Sequence, residues 1–512
     1  MAWDSGYISE IGYTYGYYRE LNPALLRLAC LYAGVVPPPP GPLNYLELGF
    51  GQGVSINIHA AAFAGEFWGT DFNPAQAGNA RLLANASRSG AVLVDESFTD
   101  LAARSDLPEF DVIALHGIWS WVSGENRQAI VDIVRRKLRP GGIVYISYNC
   151  LPGWNSTIPL RHLLALHVEL AGSPGTGVTG KIDSAFAFAQ RLVDAGAFHF
   201  KINPGAVERL KAISTQDRAY VAHEYFNRHW EIMSFSDVAR CLEDAKLTYA
   251  TSAHLVDNVD SINLTPEWQT LLGDIQPPVL RQSVQDYLVN RQFRRDVFVK
   301  GARSLPGPER AELLREQAFV LLSRPEDITM KVAASAGQVT LNEQIYRPSI
   351  EFLAQDAYSP KTLDEIAKSP RLQGLSFNDL ASTLVILTGA GHAHPAQAVT
   401  KQARERCKAL NRFLCQQAIG STDIATLASP VTGTGVNVDR FQKLFLFAEH
   451  QGRKTEADQA AFAWETLSSQ GQGLVKDGKA LGSVEANIAE LTRHVAQFAT
   501  RLPLLKALGV GL

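Results

Sequence analysis

The sequence predicts an α/β fold built on a doubly wound parallel sheet, and three observations predict it. A glycine-rich turn follows an apolar strand at 45–53; short apolar runs then alternate with helical periodicity as far as Tyr148; and several of those runs end on a polar residue. Tyr45-Leu46-Glu47-Leu48 is the first strand, and Gly49-Phe50-Gly51-Gln52-Gly53 is the turn. Its glycines permit the positive φ values and close backbone approach that a tight strand-to-helix turn needs. A helix and a second strand lead to Gly69-Thr70-Asp71, and Ala91 to Val94 forms a third strand ending at Asp95. Phe110 to His116 is the fourth, apolar as a strand covered on both faces should be. Helical periodicity from Asn126 to Leu138 stops at Arg139-Pro140-Gly141-Gly142, an exit signal, and Ile143 to Tyr148 is the fifth strand. This alternation calls for right-handed crossovers, with ligands beyond the carboxyl ends of the strands. Asp95, His116 and Tyr148 would all sit on that rim.

The glycine spacing chooses among nucleotide cofactors. Asp71 lies about 20 residues beyond the first glycine, where an acid at the end of the second strand reaches ribose hydroxyls. A nicotinamide or flavin fingerprint needs a third glycine at a position held here by Val54 or Ile56. A phosphate-binding P-loop is excluded, because no Gly-Lys-Ser/Thr follows the turn. The pattern is instead E-x-G-x-G-x-G, with Glu47 ahead of Gly49, Gly51 and Gly53. It resembles motif I of the class I S-adenosylmethionine-dependent methyltransferases, where the acid helps position the methionine end. The Leu-Arg-Pro-Gly-Gly segment before strand five is similar to theirs as well. The resemblance implies a Rossmann-like sheet and S-adenosyl-L-methionine as cofactor.

Composition bounds the remaining choices. The chain has 512 residues, 46% hydrophobic, and a formal net charge of −3. That is enough for two to four domains. With no basic stripe there is no electrostatic case for nucleic acid. No signal peptide is visible at the N-terminus, and no apolar run approaches the length of a membrane span. Five scattered cysteines, with no C-x-x-C pair, suggest reduced thiols and a cytoplasmic setting. His392 and His394 lie near Cys407 and Cys415, but their spacing matches no zinc template, so no metal is expected.

Beyond strand five, residues 156–215 read as helical, broken by the Gly-rich 171–177. Leu247 to Thr251 and Asp296 to Lys300 supply a sixth and an antiparallel seventh strand. The cofactor domain is therefore expected to span 1–303, enlarged by helical insertions. Residues 310–398 read as a winged-helix-like module without a basic face, suited to protein contact or dimerisation rather than DNA. Residues 402–512 read as a mostly helical C-terminal domain around the turn-rich 429–435, expected to be a structured interdomain loop in preference to a phosphate or substrate contact.

Five further segments sharpen the resemblance: His116-Gly117-Ile118-Trp119-Ser120-Trp121-Val122, Ser147 to Trp154, Ala222 to Asn227, Asp257 to Asp260, and Asn290 to Asp296. Over nearly the whole chain they are similar to bacterial methyltransferases that carry a methyltransferase regulatory domain, here about 217–302. That group includes rickettsial lysine methyltransferases acting on an outer-membrane protein. The resemblance implies a winged-helix-like second domain, a C-terminal domain and a homodimer. It leaves the methyl acceptor open.

Methyl transfer is an in-line displacement, so the protein mainly supplies alignment and a dry pocket. Aromatic faces stabilise a sulfonium and a cationic amine. Tyr13, Tyr15, Tyr17 and Tyr18 with Arg19 are expected to form a lid over the strand ends. Trp119, Trp121, Tyr148 and Trp154 would come from the rim of strands four and five, unless they are packing residues of the inserted helices. The expected cofactor contacts are Glu47, Gly49, Gly51, Gly53, Asp71, Phe72, Asp95, His116 and Tyr18. Trp121, Asn149, Trp154 and Tyr15 are the expected substrate contacts. His116, Tyr148 and Trp119 are the candidate catalytic residues; His116 and Tyr148 are the candidate bases, with Glu224 and His223 behind them, and His116 is read first as lining the cofactor pocket or positioning the acceptor and second as a base. No Asp/Asn-Pro-Pro-Tyr follows strand four and no Pro-Cys nucleophile is present, which argues against base methylation. Protein-lysine N-methylation leads; the alternatives are small-molecule O- or N-methylation, or a regulatory binding protein that keeps the fold without turnover.

Overall fold

The computed structural model describes residues 14–172, 175–335 and 337–512. Tyr13, part of the expected lid, and Ser173 and Pro174 in the Gly-rich break lie outside them. In chain order the first elements are α1 (Pro23–Ala33), β1 (Leu43–Leu48), α2 (Val54–Ala62), β2 (Gly65–Thr70), α3 (Pro74–Ser87), β3 (Val92–Val94), α4 (Phe98–Ala103), β4 (Phe110–Leu115), α5 (Gly124–Lys137) and β5 (Leu138–Asn149). Local chemistry sets their ends. The Asn22 side chain accepts from the Ala24 and Leu25 amides at the start of α1, ahead of Pro23 as first helical residue. Asn73 does the same for α3 ahead of Pro74, and Ser123 caps α5. Strand β5 begins at Leu138, five residues earlier than expected, because Leu138 bridges Phe110 before the register shifts and Val112 pairs with Ile143.

The helical insertion follows as α6 (Ile158–Ala171), α7 (Val178–Asp194), α8 (Phe198–Ile202), α9 (Pro204–Ser214) and α10 (Arg218–Tyr225). Then come α11 (Phe235–Glu243), β6 (Leu247–Ser252), α12 (Asp260–Asn263), α13 (Pro266–Gly273), α14 (Pro278–Leu288) and β7 (Phe293–Lys300). The sheet order is β3-β2-β1-β4-β5-β7-β6. Strands β1 to β5 pair in parallel, and β7 runs antiparallel to both β5 and β6. This is the class I methyltransferase sheet.

Strand alternation divides the core. Tyr45, Val112, Tyr145 and Val297 face one side, packed with α1, α2 and α3, whereas Leu46, Ile113, Ile146 and Tyr148 face the other with α4, α5 and α11. A third cluster, including Trp154, Phe186 and Tyr225, holds the insertion together.

The downstream chain packs onto the first of these faces. β8 (Ala318–Leu321) is the middle strand of a small sheet with Lys361–Thr362 and Ala393–Pro395, and an antiparallel hairpin joins Lys331–Ala334 to Gly337–Thr340. The helix Lys401–Gln417 lies against α2 and α3, and its region shares one continuous core with the sheet. The 429–435 turn is structured. Ser429 Oγ donates to the Leu508 carbonyl at 2.7 Å, and Gly433 sits where a Cβ would meet the Phe63 ring at 2.2 Å. The C-terminal region is predominantly helical. Among the described residues no helix is long and apolar enough to cross a membrane.

Candidate active site

The glycine-rich turn has the expected backbone. Gly49, Gly51 and Gly53 hold φ of 72°, 56° and 74°. Side chains are excluded by space as well: a Cβ on Gly49 would lie 2.2 Å from Ile118 Cδ1, and one on Gly53 2.4 Å from Ala80 Cβ. Asp71 closes the turn from the end of β2. Its carboxylate accepts from the Gly51 amide at 2.9 Å and from the Asn73 amide at 3.0 Å. Burial nevertheless pushes its pKa up to about 6, against the pull of those two amides. Phe72 follows, half-buried on the same loop.

Glu47 lies at the floor. It is buried on β1 and accepts a hydrogen bond from the Tyr45 hydroxyl at 3.1 Å. Burial first, opposed by that hydrogen bond, and then the charge of Asp71 bring its pKa up to about 8. Among the described residues no cation pairs with it. A buried acid in this position matches a cationic ligand group, which would supply the missing charge.

His116 forms the wall at the end of β4. Its Nδ1 lies 2.7 Å from the Tyr145 hydroxyl, and the Tyr18 ring stacks on it at 4.1 Å. Phe293 approaches edge-on at 6.1 Å. Burial lowers the imidazole pKa to about 4, Glu20 opposes that, and Arg295 adds to it. His116 is therefore neutral at physiological pH. Tyr18 is fixed by its amide, which donates to Ser55 Oγ at 3.0 Å, and Glu20 beyond it pairs with Arg295 at 2.8 Å.

The rest of the tyrosine run diverges. The Tyr17 hydroxyl lies 2.7 Å from Thr434 Oγ1 and 3.3 Å from His59 Nε2, and the Tyr15 pKa is raised by burial and then by the charge of Asp423. Both belong to the contact with the C-terminal region rather than to the His116 wall. Arg19 donates to the Thr388 and Gly389 carbonyls.

Three rim expectations are corrected by strand alternation and burial. Tyr148 points to the opposite face from Tyr145 and Ser147; it is 1% exposed and its hydroxyl donates to Asp296 at 2.7 Å. A phenol whose pKa burial and Asp296 hold well above 10 cannot serve as a base near neutral pH. Trp119, with no exposure, is packed in the same face's core. Trp154 is buried in the insertion, 5.5 Å from Trp230 and beneath Arg209. Trp121 is half-buried in the short turn after β4, and Asn149 is buried at the end of β5, its amide donating to Ser120 Oγ at 3.0 Å. Asp95 projects outward; it is paired with Arg81, which holds its pKa below the usual range.

Four residues of this site were not expected: Tyr145, Ser147, whose hydroxyl accepts from the Gly117 amide at 2.8 Å beside His116, Glu20 and Arg295. Tyr145 and Ser147 could have been found by counting alternate residues back from Asn149. Glu20 and Arg295 could not, since 275 residues separate them.

One further carboxylate lies on the helical insertion. Glu224 on α10 is half-buried and forms no hydrogen bond or ion pair among the described residues. Burial brings its pKa up to about 7, with Arg209 opposing. One turn earlier, the Tyr220 pKa is raised by burial and then by Glu224, Arg209 opposes, and Tyr18 adds a smaller push, so Tyr220 lies within electrostatic reach of Tyr18.

Comparison with known proteins agrees with this geometry. Residues 46–146 match the family described as methyltransferase domain, and residues 217–300 match the predicted methyltransferase regulatory domain. The chain is 39% identical to the uncharacterized protein sll1526 of Synechocystis over 517 aligned positions, the full length of both. It is 29% identical to the uncharacterized protein RP028 of Rickettsia prowazekii over 221 positions, 42% of this chain and 85% of that one. The structure of PKMT2 from Rickettsia typhi in complex with AdoHcy superposes with a TM-score of 0.72 at 19% identity, covering 97% of this chain and all of that one. Sheet order, motif and matches agree that the cofactor is S-adenosylmethionine, and the chain belongs to the class I S-adenosylmethionine-dependent methyltransferases that carry a methyltransferase regulatory domain.

Proposed function

We propose that this enzyme methylates amines, and that its acceptor is the side chain of a protein lysine. The cofactor supplies an electrophilic methyl group on a sulfonium. In this reading Asp71 receives the ribose hydroxyls, Gly49, Gly51 and Gly53 let the backbone approach, and Glu47 pairs with the cofactor's amino group. Tyr18 and neutral His116 wall the methyl and keep water from it.

Two predictions follow from the pocket itself. Asp71→Ala removes a buried, charge-assisted acceptor and leaves the Gly51 amide unpaired. Such losses cost about 1.5–3 kcal/mol, so S-adenosylhomocysteine binding should weaken roughly 10- to 100-fold by isothermal titration. Glu47 is mostly protonated in the free protein at pH 7, with its pKa up to about 8. Pairing with the ligand ammonium would expel that proton, so affinity should rise between pH 6 and pH 8. Titration in buffers of different ionisation enthalpy should show the proton release, and Glu47→Gln should abolish both effects. In the ligand-free chain the same raised pKa makes this group's contribution to stability fall as pH climbs from about 4.5 through 8, because the unfolded acid holds fewer protons there.

The amine reading is carried by Glu224: a carboxylate without a hydrogen-bonded cation, one helical turn from the Tyr220 whose charge Tyr18 also feels, suits an ammonium, and the aromatic faces of Tyr18 and His116 suit it too. The name PKMT2, borne by a rickettsial protein of the same fold over its whole length, supports protein lysine over a small amine. Residues beyond about 310 are read as the substrate-gripping part. A homodimer is in keeping with the exposed Leu170, Phe198 and Ile202 on the insertion.

The test is transfer from methyl-labelled S-adenosylmethionine to proteins of a bacterial lysate by the full chain, with peptide mass spectrometry. Methyl groups on lysine ε-amines are the expected product. Label confined to the small-molecule fraction would overturn the lysine reading in favour of a small-molecule methyltransferase.

A further inference from the structure

A cavity of about 200 Å³ lies in the regulatory segment, away from the glycine-rich turn, between β6, β7, α14 and the end of α1. Four arginines and three aspartates line it. Its hydrogen bonds determine what it can hold, because most of those charges already have partners. Asp296 accepts from Arg294 Nε at 2.8 Å and from the Tyr148 hydroxyl. Asp257 accepts from Arg291 Nη1 at 2.8 Å and faces His254 at 3.2 Å. Arg294 also donates through Nη1 to Asp286 at 2.6 Å and through Nη2 to Gln282 at 3.0 Å, so each of its nitrogens has an acceptor.

The unused groups are mainly donors. Arg281 makes one long bond, 3.4 Å, to Asp260. Arg295 makes one bond, from Nη1 to Glu20. Gln285 accepts from Gln282 at 3.3 Å, and its own amide N–H groups donate to nothing among the described residues. A guanidinium has five N–H donors, so both arginines retain several. Two such cations and an amide, converging on a recess whose Asp257 and Asp296 carboxylates are already satisfied and whose Asp260 faces Arg281, select an acceptor-rich anion. At ~30 Å³ per water, the volume holds the equivalent of roughly seven waters, so the ligand is small.

The position of Arg295 links this cavity to the cofactor site. Glu20, its partner, follows Tyr18 by two residues, and Tyr18 stacks on His116. Tyr32 and Ala33, at the end of the helix that leaves this segment, line the cavity as well. An anion held by Arg295 competes with Glu20 for one guanidinium.

We propose that this cavity binds a small metabolite bearing carboxylate or phosphate groups, and that its occupancy loosens the Glu20–Arg295 clasp and weakens cofactor binding. The linkage is reciprocal, so each ligand lowers the affinity for the other.

The experiment is isothermal titration of the full chain with citrate and, separately, inorganic pyrophosphate at fixed ionic strength, with no methyl acceptor present. It therefore reads independently of what the enzyme methylates. One probe should bind; citrate alone identifies a carboxylate ligand, and pyrophosphate alone a phosphate. Arg281→Glu should weaken that binding at least tenfold, Arg281→Lys less, and neither should alter S-adenosylhomocysteine affinity when the probe is absent. Saturating probe should raise the Kd for S-adenosylhomocysteine severalfold in the unaltered chain. Binding by neither probe, or binding indifferent to Arg281→Glu, overturns the site. An unchanged S-adenosylhomocysteine Kd overturns the coupling.

Discussion

Glu224→Gln is expected to slow methyl transfer 100- to 10,000-fold, the range lost when a positioned proton acceptor is removed, while S-adenosylhomocysteine affinity stays within about twofold. The reasoning is a comparison of bases. An amine must shed its proton before it attacks, and free lysine titrates near 10.4. Moving that proton to His116, whose pKa burial depresses to about 4, spans more than six pK units, or ~9 kcal/mol. Moving it to Glu224, brought up to about 7, spans roughly half that. His116 is thus the better positioning group and Glu224 the better acceptor. Glutamine keeps the shape and the half-buried site but not the charge, so the loss should fall on kcat/KM. Its rise with pH through about 7 should vanish with it. A variant with unchanged kcat/KM would make Glu224 a spectator of the insertion, and the amine reading would lose its carrier.

What was legible in the sequence was local. The turn from Glu47 to Gly53 and Asp71 after β2 lie within one strand–helix–strand unit, where each residue's role follows from backbone geometry. Strands six and seven, which form one edge of the sheet, were also visible in their strand-like composition. Errors arose where facing had to be known. Tyr148 and Tyr145 differ by an odd number of residues on one strand, so they point to opposite layers, and the aromatic closer to the strand end was the wrong one. Trp119 was expected on the rim because it follows His116 closely, but a short helical turn folds it back into the core. β8 and Ala393–Pro395 went unseen because they are four and three residues long and pair across more than 70 residues of chain. The Glu20–Arg295 clasp has no local signal at all.

The buried ion network beneath the regulatory segment should give the largest stability effect. Arg294 is 4% exposed, and it holds Asp296 through Nε, Asp286 through Nη1 and Gln282 through Nη2, with Phe235 4.2 Å from its guanidinium. Arg294→Met keeps most of the packing volume and removes the charge. Asp296 is then left with the Tyr148 hydroxyl and Asp286 with Arg291 Nε at 3.0 Å. Breaking one side of a buried pair costs ~3–5 kcal/mol, because the remaining charge stays desolvated. Two measurements separate that cause from lost packing. Arg294→Met/Asp296→Asn should unfold at a higher temperature than Arg294→Met alone, since it deletes the stranded charge. The single variant's deficit should also shrink on going from pH 8 to pH 5. A stranded carboxylate has its folded pKa raised above its unfolded value, so the native state takes up the proton first and gains stability on acidification. Burial already pushes the Asp286 carboxyl up in the intact network, against the pull of Arg294, and the substitution removes that pull. If the double variant were no more stable than the single, and the deficit indifferent to pH, the network would contribute through shape and not charge. The β6–β7 edge that frames the regulatory cavity would then rest on the stacking of residue 294 against Phe235 and Tyr249.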